Sequence, residues 1–385
     1  MLLTIIAGIT VLSFLVIVHE LGHFIISKKM GVKVREFGVG YPPRIFGVRF
    51  SPRFQFFWGK DPSEGKGGTI YSTNWIPFGG FNGIKGESGE DREDKDSFVH
   101  KKIWQRAVIL FGGIGMNWIM AAVLIIIGFF IGLPQMVEGI IPSRAQVKDL
   151  KIQIISILKD SPAEKVGLKL GDIILNIDGE EFTQIKNLQD YVAQKIDVPM
   201  EVKLKRGPEI IIKEVAPQKL EEMERGGMGV GLIQTGVIRW PWYTCIWLGL
   251  KTTLYLTKEM GVGLYGLVKN LIIGEKISAD LVGPVGIVAL AGEMAHIGFI
   301  YLLQFTAIIS LALAITNLLP FPAIDGGRLL FLAVEGVRGR PLNQNTENII
   351  HNVGFLLLIL LAVLVTFKDI SRLGGGKILE FVQKR

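Results

Sequence analysis

The residues of this chain best suited to chemistry form the motif HELGH, residues 19 to 23, within a long apolar run. On a helix, His19 and His23 lie one turn apart on the same face, so both imidazoles can reach one zinc ion. Glu20 lies beside them and can act as the general base on a metal-bound water. The residue types and their spacing therefore predict a catalytic zinc site.

The same three side chains have an alternative interpretation. Ionisable residues within a membrane also pair with one another or form the proton relays of transporters, and they are costly there unless paired or metal-bound. One zinc ion removes this cost, because it uses both imidazoles and offsets the charge of a carboxylate. We therefore expect one Zn²⁺ per chain, with His and carboxylate ligands, since the single cysteine, Cys245, excludes sites built from thiolate pairs.

A catalytic zinc needs a third protein ligand and one open position. Asp325 is the best candidate, because it follows an apolar run within a stretch that prolines interrupt. Irregular backbone at membrane depth is tolerated only where it is buried in protein or lines a cavity. Asp325 could also be a simple turn residue before Gly326 and Gly327. Glu293 and Glu335 are alternative third ligands.

The composition indicates an integral membrane protein. The chain has 385 residues, 49% of them hydrophobic, and its mean hydropathy is +0.41, which is unusual for a soluble chain. About 20 apolar residues cross a bilayer, and four runs have that length. They are residues 2–26, 107–133, 298–319 and 349–367. The net charge of +7 indicates contact with membrane lipids, and without a nucleic-acid-binding motif we expect no nucleic-acid partner.

The pattern divides the chain into four predicted parts. Residues 1–133 form an N-terminal membrane half, in which short strands between residues 33 and 85 form a membrane-associated β-strand loop. Residues 134–235 alternate strand patterns with one amphipathic helix, which predicts a small α/β domain. Residues 236–297 are rich in Trp, Tyr and spaced Lys, which predicts interfacial amphipathic helices, with a buried span as the alternative. Residues 298–385 form the C-terminal membrane half.

These motifs resemble those of the site-2 protease family of intramembrane zinc metalloproteases, in particular the bacterial regulator-of-sigma-E protease type. HELGH in the first apolar run and NLLPFPAIDGG, residues 317–327, carry the likeness. The late family motif is N-x-x-P-x-P-x-L-D-G, from which only Ile324 departs. Residues 75–87, 111–121 and 278–287 are similar to further segments of the family, so the resemblance covers nearly the whole chain.

The resemblance implies a role for each residue of the two motifs. His19, His23 and Asp325 would bind zinc, and Glu20 would be the catalytic base. Asn317 would form a hydrogen bond with the substrate near the metal or help to stabilise the oxyanion.

The β-strand loop carries a related expectation. A helical substrate has its backbone hydrogen bonds made internally, so it must unwind before cleavage. The loop could pair with the unwound segment as an added strand, and Gly79 and Gly80 would allow close approach of the backbone.

The α/β domain also resembles a known module. SPAEKVGLKLGDIILNIDGEEF, residues 161–182, is similar to a PDZ core, and GMGVGLI, residues 227–233, to the carboxylate-binding loop of a circularly permuted PDZ domain. Gly229 and Gly231 would then contact a peptide C-terminus that docks by strand addition. Alternatively, the domain filters substrates only by size.

The expected fold is a polytopic α-helical membrane protein with about four transmembrane helices, the β-strand loop and one inserted PDZ-like domain. The expected function is intramembrane cleavage of single-pass membrane proteins, either anti-sigma factors or remnant signal peptides. The expected location is the bacterial inner membrane, with the PDZ-like domain on the extracytoplasmic side. A PDZ-bearing scaffold or transporter without protease activity is the alternative, although such a protein would not need Glu20.

Overall fold

The fold was obtained as a computed structural model, which describes residues 2–61, 67–87, 89–136, 146–206, 209–219, 226–275 and 282–383. The chain divides into two compact units. The first comprises Met1–Ile126 together with Gly249–Arg385, and the second is the inserted segment Ile127–Leu248.

The described residues form helices and strands of very different lengths. In chain order the helices are α1 (Leu2–Lys29), α2 (Ile103–Ile131), α3 (Pro162–Lys165), α4 (Ile185–Ala193), α5 (Trp242–Ile273), α6 (Pro284–Ile297), α7 (Phe299–Asn317), α8 (Asp325–Arg338) and α9 (Gln344–Gln383). The strands are β1 (Val34–Arg49), β2 (Gln55–Trp58), β3 (Ile70–Ile84), β4 (Leu133–Met136), β5 (Gln146–Ile157), β6 (Ile173–Ile177), β7 (Met200–Arg206), β8 (Glu209–Val215), β9 (Gln218–Lys219), β10 (Gly226–Gly227) and β11 (Val230–Arg239).

Four helices of the described chain are long and apolar enough to cross a membrane. They are Leu2–Lys29, Ile103–Ile131, Phe299–Asn317 and Asn345–Ser371. Each contains or overlaps one of the four predicted apolar spans, so the prediction of four span-length helices is confirmed.

Glycines bring α1 into direct contact with two other helices. A Cβ on Gly22 would lie 2.1 Å from the carbonyl oxygen of Gly112 in α2, so the two backbones touch. On the same helix, a Cβ on Gly8 would lie 2.7 Å from the side chain of Val288 in α6. Small residues at such crossings allow the close approach that stabilises helix pairs in membranes. The helix that carries HELGH is therefore held between α2 and α6.

The first sheet lies against α1, within the first unit. Its order is β2-β1-β3, all antiparallel, and β1 pairs with two separate segments of β3. The last part of β3 approaches α1, where the Gly79 amide donates a hydrogen bond to Ser13 Oγ at 3.1 Å. The predicted β-strand loop is thus present, and its final strand segment runs beside the HELGH helix.

The second unit contains a six-stranded antiparallel sheet in the order β4-β11-β5-β6-β7-β8. Helix α4 packs its apolar side, with Leu188 and Val192, into the core of this unit. The strands β5 to β8 lie where alternation of apolar and polar residues predicted them. The prediction of mixed strand and helix content here is confirmed.

The segment predicted to hold interfacial helices, residues 236–297, contains the end of a strand as well as helices. Strand β11 continues to Arg239, and α5 then runs without interruption for 32 residues. The shorter helix α6 follows, and its Gly292 packs closely against Thr4 of α1. Whether α5 lies at a membrane surface stays a prediction.

Candidate metal centre

Three side chains from distant parts of the sequence converge within the first unit. Asp325 Oδ2 lies 3.0 Å from Nε2 of His19 and 3.3 Å from Nε2 of His23. The two Nε2 atoms are 3.1 Å apart. The three atoms therefore form a nearly equilateral triangle, and no other group of three or more His, Cys, Asp or Glu residues among the described positions is as compact.

The local sequence explains how each side chain reaches this point. The four-residue spacing on α1 places both imidazoles on one face. Asp325 begins α8, where the positive end of the helix dipole favours a carboxylate. A Cβ on Gly326 or Gly327 would lie within 2.2 Å of a carbonyl oxygen of the preceding turn. Only glycine at these two positions lets the turn fold tightly against the start of α8.

The donor set fits zinc. Two ligands on a tetrahedral zinc with bonds of about 2.0–2.1 Å lie roughly 3.3–3.4 Å apart, close to the observed separations. If each imidazole carries its proton on Nδ1, no hydrogen lies between the three converging atoms, so they repel unless a cation joins them. Asp325 Oδ2 is buried and accepts no hydrogen bond within the described part of the chain. A metal ion would satisfy all three atoms.

The other nitrogen of each imidazole is positioned by α2. His23 Nδ1 lies 2.9 Å from the carbonyl oxygen of Ile109, a contact that requires the proton on Nδ1 and leaves Nε2 free for a metal. His19 Nδ1 lies 3.4 Å from the side-chain amide of Asn117, whose buried Oδ1 has no partner among the described residues. A half-turn of that amide would let Oδ1 accept the Nδ1 proton, and the two amide orientations are chosen only by such contacts.

The backbone of α2 also forms the floor under the two histidines. A Cβ on Gly113 would lie 2.3 Å from Nε2 of His23 and 2.7–2.8 Å from ring atoms of His19. The imidazoles can converge only because position 113 carries no side chain.

Glu20 lines a cavity of about 160 Å³ together with the three ligands. The Asn82 amide of β3 donates to the Glu20 backbone carbonyl at 3.5 Å. Glu87 and Arg328, which form an ion pair, line the same cavity. The cavity thus combines a candidate base with candidate metal ligands, which is the arrangement required for metal-assisted hydrolysis.

The electrostatics of Asp325 favour its role as a ligand. Burial alone would raise the pKa of this carboxyl, but the neighbouring imidazoles of His19 and His23 hold it well below its ordinary value. Asp325 is therefore ionised at neutral pH, as metal ligation requires.

Three of the residues predicted to contact substrate, Asn317, Gly79 and Gly80, lie elsewhere in the first unit. Asn317 ends α7, does not line this cavity, and forms no hydrogen bond with the ligands among the described residues. Gly79 and Gly80 pack against Val16 and Ile17 of α1. They support close approach of strand and helix, and their predicted contact with substrate stays a prediction.

The alternative third ligands do not join the centre. Glu293 is exposed on α6, and Glu335 forms an ion pair with Arg106. The geometry therefore favours Asp325.

The two glycines predicted to bind a peptide differ in position within the second unit. Gly229 has a φ of +78° and lines a groove of about 400 Å³ between α4 and the start of β11. Gly231 does not line that groove, and a Cβ there would lie 2.1 Å from Ser156 Oγ of β5. Contact of either glycine with a bound peptide stays a prediction.

Several residues around the centre were not assigned a role from the sequence. Gly113 and Asn117 lie within residues 111–121, a segment that resembles the family but whose spacing assigns these two residues no role. Glu87, Arg328 and His351 carry no recognisable motif. Their positions depend on tertiary contacts between segments far apart in the chain, which spacing alone does not reveal.

Comparison with known proteins identifies the family. A family model for peptidase family M50 matches residues 7–361. A Clostridium perfringens protein with a provisional zinc-metalloprotease name is 32% identical over 368 residues, covering 95% of this chain and 98% of the relative. The regulator of sigma-W protease RasP of Bacillus subtilis is 32% identical over 280 residues, covering 72% of this chain and 61% of the relative.

Among solved structures, the PDZ domain of an SdrC-like protein from Listeria monocytogenes matches 21% of this chain and 85% of its own, with 26% identity and a TM-score of 0.20. The family model covers both segments that supply the cluster, the HELGH helix and the turn before Asp325. The chain belongs to peptidase family M50, the site-2 protease family of zinc metalloproteases.

Proposed function

We propose that this protein is a zinc-dependent intramembrane endopeptidase that cleaves the transmembrane segments of single-pass membrane proteins. The convergence of His19, His23 and Asp325 carries the proposal, because the two histidines lie on a helix long and apolar enough to cross a membrane. A hydrolytic centre on such a helix is suited to peptide bonds within the bilayer.

Each residue of the centre has a defined task in this mechanism. His19, His23 and Asp325 would hold zinc, which supplies a Lewis acid when bound. Glu20 takes a proton from the attacking water on its carboxylate and passes it to the nitrogen of the leaving amine. The Ile109 carbonyl and the Asn117 side chain keep both imidazoles oriented throughout.

The edge of the first sheet is the proposed binding place of the unwound substrate. Residues Gly80–Ile84 form the outer segment of β3, and Asn82 and Ile84 line the cavity that Glu20 also lines. A substrate strand added at this edge would have its backbone hydrogen bonds satisfied as it passes the base. This supports the expectation that the β-strand loop presents the scissile bond.

The exposed surface of the same sheet supports an association with the membrane. Several aromatic side chains of its strands and of the turn between β1 and β2 are exposed, and aromatic residues are enriched where proteins meet the lipid headgroups. They are Phe50, Phe54, Phe56, Trp58 and Trp75.

The proposed substrates are anti-sigma factors or remnant signal peptides. A relative named as a regulator of sigma-W supports the first class. The proposed location is the bacterial inner membrane, with Lys28 and Lys29 at the cytoplasmic end of α1 and the PDZ-like unit on the extracytoplasmic side.

The groove of the PDZ-like unit supports the proposal that a peptide docks there. Among the described residues, β11 pairs with β4 only from Thr235 to Ile238, so the first half of this strand keeps an edge without that partner. That half contributes Val230 and Leu232 to the groove beside α4. A peptide C-terminus could add as a strand there, and exclusion of large substrates by size is the alternative.

The test combines cleavage with metal content in purified protein. Cleavage of a model single-pass substrate in detergent should be lost in Glu20→Gln while zinc remains, because the base is removed and the ligands stay. Asp325→Ala should lose both zinc and cleavage. Zinc-free, inactive wild type would reject the proposal and favour the scaffold or transporter.

A further inference from the structure

Helix α9 contacts the turn that precedes Asp325. The Ala323 amide donates a hydrogen bond of 3.2 Å to Nδ1 of His351, 28 residues further along the chain. His351 also lines the cavity that contains the three ligands and Glu20. The side chain is therefore placed between α9 and the ligand turn, and no step of the proposed mechanism uses it.

The turn before Asp325 has a backbone conformation that contacts with another part of the chain must stabilise. Ala323 has a φ of +82°, in the left-handed region that a residue with a Cβ rarely adopts. This residue lies two positions before Asp325, so its conformation decides where the carboxylate points. A second contact fixes the same turn, because Gly354 of α9 packs so closely on Pro322 that a Cβ would lie 2.5 Å from it.

We propose that His351 is a positioning residue for the metal ligand Asp325. Nδ1 accepts the Ala323 N–H, which places the proton of the neutral imidazole on Nε2. This hydrogen bond holds the left-handed turn and with it the Asp325 carboxylate beside the two histidines. The inference rests on the proposed zinc site, but it concerns the backbone that supports the site.

The chemistry of the contact predicts which replacements retain it. Asparagine carries its side-chain oxygen about where histidine carries Nδ1, so His351→Asn can still accept from Ala323. Glutamine carries its polar atoms further out, near the position of Nε2, and leucine offers no acceptor. A role in packing alone would rank these variants by size, whereas positioning predicts that asparagine alone retains function.

The experiment measures zinc affinity and backbone protection in the full-length protein in detergent. Zinc affinity is determined by competition with a chelator, and amide hydrogen exchange is followed in peptides that cover Ala323. His351→Gln and His351→Leu should weaken zinc binding by about 10- to 100-fold, as is typical when a group that orients a ligand is lost. Both should also speed exchange at Ala323, whereas His351→Asn should stay close to wild type.

His296→Asn is the control variant. His296 is exposed on α6, so this replacement should change neither the zinc affinity nor the exchange at Ala323. Unchanged zinc affinity in His351→Leu would overturn the proposal. A loss of zinc in His351→Asn with normal exchange at Ala323 would also overturn it, because the His351 ring would then act as a direct metal ligand. If the affinities follow the prediction but wild type cleaves nothing, the proposed function fails and this inference stands.

Discussion

Replacement of Gly113 with alanine should destroy the metal centre, because α2 passes too close to the histidines to carry any side chain. The added Cβ would lie 2.3 Å from Nε2 of His23. Carbon and nitrogen atoms in ordinary contact are about 3.5 Å apart, so the imidazole would have to move by roughly 1 Å. Metal–ligand distances tolerate deviations of only about 0.2 Å.

The helices cannot easily absorb this displacement. The backbones of α1 and α2 already touch at Gly22 and Gly112, and His23 is held at its other nitrogen by Ile109. Misplacement by about 1 Å in a catalytic site can reduce the rate by about 100-fold. We therefore expect Gly113→Ala to reduce both bound zinc and cleavage by at least about that factor.

Gly115→Ala is the matched control on the same helix. A Cβ there would meet only the ring of Phe111 at 3.7 Å, an ordinary contact. Both variants gain the same helix propensity, so differences between them come from the site. Zinc per chain, cleavage and helix content would be measured on the same preparations. A Gly113→Ala protein with full zinc and normal cleavage would refute the geometry of the centre.

Three further predictions concern the surroundings of the site and the second unit. Arg328→Gln breaks the ion pair with Glu87 beside the cavity, so cleavage should fall while zinc remains; loss of zinc would contradict this. Gly229→Val should abolish peptide binding in the groove without affecting zinc, because φ there is +78°; unchanged peptide binding would contradict it. Burial would raise the pKa of Asp172, but the Arg206 ion pair at 2.7 Å holds it below its ordinary value. The stability that this pair contributes is therefore complete above about pH 4 and is lost as the pH falls further. In Asp172→Asn, the midpoint of thermal unfolding should depend less steeply on pH in the acid range.

The spacing and polarity of nearby residues predicted those elements whose conformation depends on local interactions. The spacing in HELGH puts both histidines on one face of any helix, and span-length apolar runs must form helices because a bilayer offers no other partner for the backbone. Alternation of apolar and polar residues likewise predicted β5 to β8. These features need no knowledge of what packs against them.

The remaining features of the site depend on contacts between distant segments. Ile109 and Asn117 contact the imidazoles only because α1 and α2 cross at Gly22 and Gly112, and the crossing depends on close packing that the residue pattern does not encode. The left-handed Ala323 is equally hidden, since alanine carries no signal for that conformation. The residue pattern made Asp325 the best candidate and the family resemblance supported it, but neither revealed the turn that directs the carboxylate.

Two buried acceptors without a hydrogen-bond partner in the described part of the chain lie at the candidate metal centre. They are Asn82 Oδ1 and Asp325 Oδ2, and both residues line the cavity beside the histidines. Each such group costs about 1–3 kcal/mol, so the two together cost roughly 2–6 kcal/mol. That sum is a large share of the whole stability of an ordinary domain, about 5–15 kcal/mol. A fold retains such a cost where a bound group offsets it, and a cation between Asp325 and the two imidazoles would offset the largest part because the carboxylate carries a full charge.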